Sequence, residues 1–241
     1  MESNYTLLPV HSQVLYEDNH IIILAKKAGQ IVHVDKTGDK SLEQEVKDYL
    51  KCKYNKPGNV FCGVVHRLDR PVSGVVMFAK TGKSLQRLNA MIKAHQIQKT
   101  YWAVVSNRPA KDRDTLCNYL VRNEKQNKSY IVKPSEQAKY AELDYALLGQ
   151  SNNYFLLKIA LKTGRHHQIR VQLSAIGCPI KGDLKYGAKR SNPDGSIALH
   201  ARELKFVHPV SKQSLVITAP VPDEPLWQYF ETTTENQTHK S

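Results

Sequence analysis

Nowhere in this chain does an apolar run approach the length that crosses a bilayer, and no basic amphipathic segment suggests a membrane anchor. Cysteine is sparse. Cys52, Cys62, Cys117 and Cys178 are scattered, none forms a CxxC pair, and no Cys/His set has zinc spacing. The ten histidines do not change this, because no HxxxH pair occurs. His166 and His167, being adjacent, are expected on different faces of a helix. Glycine-rich phosphate loops of the dinucleotide and P-loop kinds are also missing, and Met1 to Pro9 shows no secretory pattern. The expectation is a cytoplasmic protein with reduced thiols, no metal and no cofactor.

Acidic residues are in short supply as well: 22 Asp and Glu stand against 35 Lys and Arg, a net charge of +13. Such an excess suits a polyanionic partner, nucleic acid ahead of an anionic membrane. With 241 residues, 41% of them hydrophobic, the chain has material for a real core in one large domain or two small ones.

Strand and helix patterns intermix without a long linker. Ile21 to Ala25, Val60 to Val65, Val75 to Ala79, Gln98 to Val105, Lys139 to Leu148, Tyr154 to Leu161, Leu199 to Phe206 and Leu215 to Ala219 read as strands. Leu42 to Leu50 and Ser84 to Ala94 have helical spacing. A third helix is expected to open at Thr163-Gly164 and close at Gly177. Arg122, Lys125 and Lys128 read as a polar loop, and Glu231 to Ser241 as a polar, frayed tail. Strands often follow strands, so the fold class is α+β with a mixed, mainly antiparallel central sheet and flanking helices.

Two constellations carry chemistry. His66-Arg67-Leu68-Asp69-Arg70 lies between the apolar runs Val60–Val65 and Val75–Ala79, so Asp69 should sit on a short, stiff loop rising from a sheet. A carboxylate held there amid arginines stays ionised and is a candidate nucleophile; a structural ion pair is the plainer alternative. Thr163-Gly164-Arg165-His166-His167-Gln168-Ile169-Arg170 follows a strand and begins a helix. Arg165 can grip a carboxylate there, with Asp69 as the expected partner, or simply contact phosphate or solvent. Lys99-Thr100-Tyr101 lies in an apolar strand. Tyr101 is either core or a ring on which a base stacks.

Taken in order with Ser73-Gly74, Pro179-Ile180-Lys181-Gly182-Asp183, Tyr186-Gly187, Leu199-His200-Ala201 and His208-Pro209, these motifs resemble the RluA-type RNA pseudouridine synthases over roughly Val14 to Phe230. The resemblance implies a catalytic domain over residues 14–230, an extension over 1–13, a tail over 231–241 and no separate RNA-binding domain ahead of it. By the same resemblance Asp69 is the catalytic aspartate, Tyr101 the aromatic against the target uracil, and Arg165 the partner of Asp69. Arg67 fills the space left by a flipped uridine, and His66, Arg70, His167, Arg170 and Lys99 contact RNA. The implied partner is structured RNA, ribosomal or transfer, bound by a monomer. Pro71-Val72 departs from the usual Asp-Thr pair, and Ala25 and Lys27 replace an asparagine and a proline. The rival class is a catalytically silent RNA-binding or ribosome-associated module, which has no need of Asp69, Tyr101 and Arg165 together. A glycosidase-like hydrolase needs two cooperating carboxylates, and Asp69 is flanked by arginines instead.

Overall fold

A computed structural model of the chain describes residues 9–34 and 38–238. Its elements begin with β1 (Val14–Glu17), β2 (Ile21–Lys26), α1 (Leu42–Lys53), β3 (Gly63–Val64), β4 (Ser73–Ala79), α2 (Gly82–Lys93) and β5 (Gln98–Val105). They continue with β6 (Arg113–Asn123), β7 (Lys128–Val132), β8 (Lys139–Gln150), β9 (Phe155–Leu161) and α3 (Gln168–Ala175). The last are β10 (Leu199–Val207), β11 (Ser214–Thr218) and α4 (Pro225–Thr238). The class is α+β, as expected. Among the described residues no helix is long and apolar enough to cross a membrane. Two compact units make up the chain: Met1–Ile97 with Glu203–Pro220, and Gln98–Arg202 with Val221–Ser241.

In the first unit β2 pairs antiparallel with β1 on one side and with β4 on the other, Ile21 facing Ala79 and Lys26 facing Gly74. β3 adds two residues to β4, and β10, from Glu203 onward, pairs with β11. Both faces of β2 and β4 are covered. Ile22, Leu24, Val76 and Phe78 pack on Leu42, Val46, Tyr49 and Leu50 of α1. Ile21, Ile23, Val75 and Met77 pack with Leu88 of α2 and with Leu204 and Phe206. Burial on both sides explains why these strands read as unbroken apolar runs rather than alternating ones. Both α1 and α2 start at a hydroxyl cap: Ser41 accepts from Gln44 N–H, and Thr81 from Ser84 N–H. The Thr81 cap puts the start of α2 two residues before the expected Ser84.

The second unit is an antiparallel sheet in the order β5-β9-β8-β6-β7. The segment around Arg122, Lys125 and Lys128, expected as a loop, is the hairpin that joins β6 to β7. Leu120 and Ala141 on one face of this sheet pack with Val171 of α3 and with Tyr186. The tail is a helix as far as Thr238, and residues 239–241 lie outside the described residues. Buried Trp227 and Phe230 anchor it. Thr233 and Thr234 bond back to the carbonyls of Tyr229 and Phe230, so the threonines satisfy the helix they would otherwise weaken.

Candidate functional site

Between β3 and β4 the chain makes the stiff loop that the sequence implies, although β3 is only Gly63–Val64 rather than Val60 to Val65. Buried Leu68 and Val72 pin the loop to the core. Val72 N–H donates to the Asp69 carbonyl at 3.0 Å, closing a tight turn over Arg70-Pro71. Gly29 N–H reaches the Arg70 carbonyl at 2.8 Å. The turn therefore points its carbonyls inward, and on that side they also meet the Nζ of Lys26. Asp69 is half-buried, and Arg67 and Arg70 are exposed. Arg70 pairs with Asp39 at the surface, an interaction of small weight. His66 turns toward the sheet, where its Nε2 accepts the Met77 N–H at 3.2 Å.

The second unit holds the remaining expected residues. Tyr101 lies in β5 opposite Ile159 of β9 and is buried. Lys99, two residues earlier, is half-buried, and burial pushes its ammonium below the usual lysine range. Residues 163–167 form a loop rather than the first turn of a helix, and α3 begins only at Gln168. The Gln168 side chain causes this. Its Oε1 accepts from the Thr163 hydroxyl at 2.8 Å and from Arg165 N–H at 3.0 Å, while its Nε2 donates to the Glu142 carbonyl at 3.0 Å.

His167 caps α3 in the left-handed region, φ 53°. That twist lays the rings of His166 and His167 face to face, centroids 3.7 Å apart, instead of on different faces of a helix. Burial first, then the charges of Arg170, His166, Lys185 and Arg122, press the pKa of His167 down to about 2. Its neutral Nδ1 accepts from the Tyr186 hydroxyl at 2.9 Å, and that hydroxyl accepts from Ser129 N–H at 2.8 Å. His167 is therefore a buried fastening and not a cation offered to phosphate.

Of the two arginines in this segment, Arg165 is the exposed one. Its Nε donates to the Tyr140 carbonyl at 2.8 Å. Arg170, expected to contact RNA, lies inside: its guanidinium is 6% exposed and grips Asp183, which is 1% exposed, through bonds of 2.7 and 2.8 Å. A charge at this depth is retained because a matched carboxylate meets it. Residues that the sequence reading leaves without a role, Lys26, Gln168 and Tyr186, turn out to hold both loops. The one available signal for Lys26 is that an unbroken apolar run ends at it, and the neighbouring Lys27 masks even that.

Gly182, just before Asp183, has φ +87°, and a Cβ there would lie 2.8 Å from the Ser196 carbonyl oxygen. Gly182→Ala is expected to destabilise the protein by about 2 kcal/mol or more, from the left-handed backbone and the unyielding contact together. A shift of the urea unfolding midpoint to lower concentration checks this.

A model of a family described as RNA pseudouridylate synthase matches residues 20–175. A ribosomal large subunit pseudouridine synthase C from Haemophilus ducreyi is 32% identical over 218 residues, 88% of this chain and 66% of the relative. The protein of the same name from Haemophilus influenzae is 34% identical over 216 residues, 87% of this chain and 65% of the relative. The chain thus spans about 65% of the length of the curated relatives it matches. Among solved structures, human RNA pseudouridylate synthase domain containing 4 superposes with a TM-score of 0.76 at 22% identity, covering 94% of both chains. That likeness speaks to the fold.

Proposed function

Because the chain belongs to the RNA pseudouridylate synthase family, we propose that it is an isomerase converting uridine to pseudouridine in structured RNA, with ribosomal RNA as the first substrate and transfer RNA as the second. One observation carries this reading. The family match over residues 20–175 takes in Asp69, Tyr101 and the whole segment from Arg165 to Arg170. A silent RNA-binding module has no use for that set.

The reaction breaks the N1–C1′ bond, turns the uracil and joins C5 to C1′, with no change of oxidation state. A uridine inside folded RNA has to leave its stack first, at a cost of a few kcal/mol. Arg67, exposed beside Asp69, suits the space that the base vacates, and Tyr101 suits stacking on the uracil. The carboxylate of Asp69 either attacks C1′ or removes a sugar proton; both routes use the same group. Arg165 has no partner for its terminal nitrogens among the described residues, so its charged fork is available to a carboxylate or a phosphate. Lys99 and Arg70 supply further positive charge for the RNA backbone, and His66 orders the loop from which Arg67 and Asp69 project.

The test is direct. Purified protein is incubated with unmodified large-subunit ribosomal RNA and with transfer RNA transcripts, and pseudouridine is detected chemically at nucleotide resolution. Site-specific pseudouridine in the ribosomal transcript is the expected result. Tight, salt-sensitive binding with no pseudouridine in either RNA would favour the silent module. The protein is expected to act as a monomer in the cytoplasm, which sizing of the active fraction and localisation of the tagged protein check.

A further inference from the structure

The inward carbonyls of the Asp69 turn end on one cation. β2 is apolar from Ile21 to Ala25 and finishes in Lys26, which is 2% exposed. Its Nζ lies 2.6 Å from the Val72 carbonyl oxygen, 3.1 Å from that of Arg70, 3.3 Å from that of Asp69 and 3.1 Å from that of Lys27. An ammonium has three N–H donors, so four carbonyls share them. The charged groups facing it are Asp69, which favours the ammonium, and Arg70, which opposes it. Burial outweighs both and pushes Lys26 down to about 7.

A lysine at this depth is a costly way to fill space. An apolar side chain of the same length would pack there but would take the ammonium from three converging carbonyls of one turn; those of Asp69 and Arg70 would keep only a backbone N–H each, and that of Val72 would lose its 2.6 Å contact. The turn has other fastenings: the Val72 N–H bond to Asp69, the Gly29 N–H bond to Arg70, and the burial of Leu68 and Val72. Those hold the turn to the core. Lys26 joins the carbonyls of Asp69, Arg70 and Val72 through a single charged group.

We propose that Lys26 is a positioning residue for Asp69: its ammonium ties the carbonyls of Asp69, Arg70 and Val72 to the end of β2 and so fixes the direction in which the Asp69 carboxylate leaves the turn. The inference rests on Asp69 being the acting carboxylate of the proposed reaction. Lys26 does not touch the RNA in this role, so its loss moves the rate and not the affinity.

The experiment compares wild type, Lys26→Met and Lys26→Ala in single-site pseudouridine formation, at a temperature where near-ultraviolet circular dichroism shows each variant folded. Lys26→Met is expected to lower kcat about 100-fold, the scale of an ångström-sized misplacement of a reacting group. Its KM for RNA is expected to stay within about threefold of wild type, as for a group that acts on the transition state alone. Methylammonium, which restores N–H donors in the space that Lys26→Ala opens, should recover part of the lost rate; tetramethylammonium, which has none, should not. A folded Lys26→Met with wild-type kcat, or equal rescue by both ions, overturns the proposal.

Should neither variant fold, the wild-type protein carries the test. Carbon-13 labelling at lysine Cε follows the deprotonation of Lys26, and kcat is expected to fall with the same midpoint as the amide shifts of Asp69 to Val72. A kcat that stays flat through that titration overturns the proposal. A wild-type protein that forms no pseudouridine in either RNA points elsewhere, to failure of the parent reading.

Discussion

Asp69→Ala is expected to reduce pseudouridine formation to below about 10⁻⁴ of the wild-type rate, the scale seen when an enzyme loses its reacting group. The turn is expected to survive the change, because its fastenings run through the backbone. The Asp69 carbonyl accepts from Val72 N–H and from Lys26, and an alanine carbonyl does the same. Asp69→Asn separates charge from shape, since it keeps the volume and removes the carboxylate. Both variants should bind ribosomal RNA within about threefold of wild type, because phosphate contacts dominate affinity and neither change removes a cation. Chemical mapping of pseudouridine together with filter binding at fixed salt gives both numbers. Turnover by Asp69→Ala at a tenth of the wild-type rate would remove Asp69 from the chemistry.

Arg170→Met is expected to destabilise the protein by about 3–5 kcal/mol, because it leaves the Asp183 carboxylate buried without its counterion. Asp183 is 1% exposed, and two hydrogen bonds to the Arg170 guanidinium now answer it. A loss of that size is a large part of the stability of an ordinary domain. Replacing both members, Arg170→Met with Asp183→Leu, is expected to recover most of it, since a matched apolar pair has no stranded charge. Urea unfolding of the two single variants and the double variant completes the cycle. The slope of log Kd against log salt discriminates further. A buried Arg170 leaves that slope unchanged on substitution, whereas a phosphate contact would lower its magnitude by about one. A changed slope in folded protein would return Arg170 to the RNA surface.

Much of the fold was legible from burial patterns. β2, β4 and the last five residues of β5 announce themselves because apolar side chains fill nearly every position, and α1 because its apolar positions recur on one face. β6 is hidden, since Arg113–Asn123 buries only Leu116 and Leu120 and presents polar or half-exposed residues elsewhere. α4 is hidden for a different reason: its C-terminal half is polar, and its docking depends on Trp227 and Phe230 upstream. At the candidate site, residue types and order point to Asp69, Tyr101 and the Arg165 segment. What they do not reveal is depth. Arg165 and Arg170 read alike as basic residues near a helix start, but the Gln168 side chain and the left-handed His167 turn the entry so that one is exposed and the other buried. Lys26 was illegible because three of its four acceptors are backbone carbonyls 43 to 46 residues away, which no side-chain pattern marks.

The double-sided burial of β2 has a consequence for refolding. In a sheet with one wet face, a slip of one residue exposes the apolar set, and water rejects the error. Here Ile21, Ile23, Ile22 and Leu24 are all 0% exposed, so a slipped β2 trades one oily face for another. The strand's side-chain polarity carries almost no proofreading information along its length. Its only charge, at Lys26 opposite Gly74, supplies it: a strand displaced by one residue carries the ammonium away from the carbonyls and strands it in hydrocarbon. The same lysine thereby sets an energetic penalty on any slipped alignment of the strand.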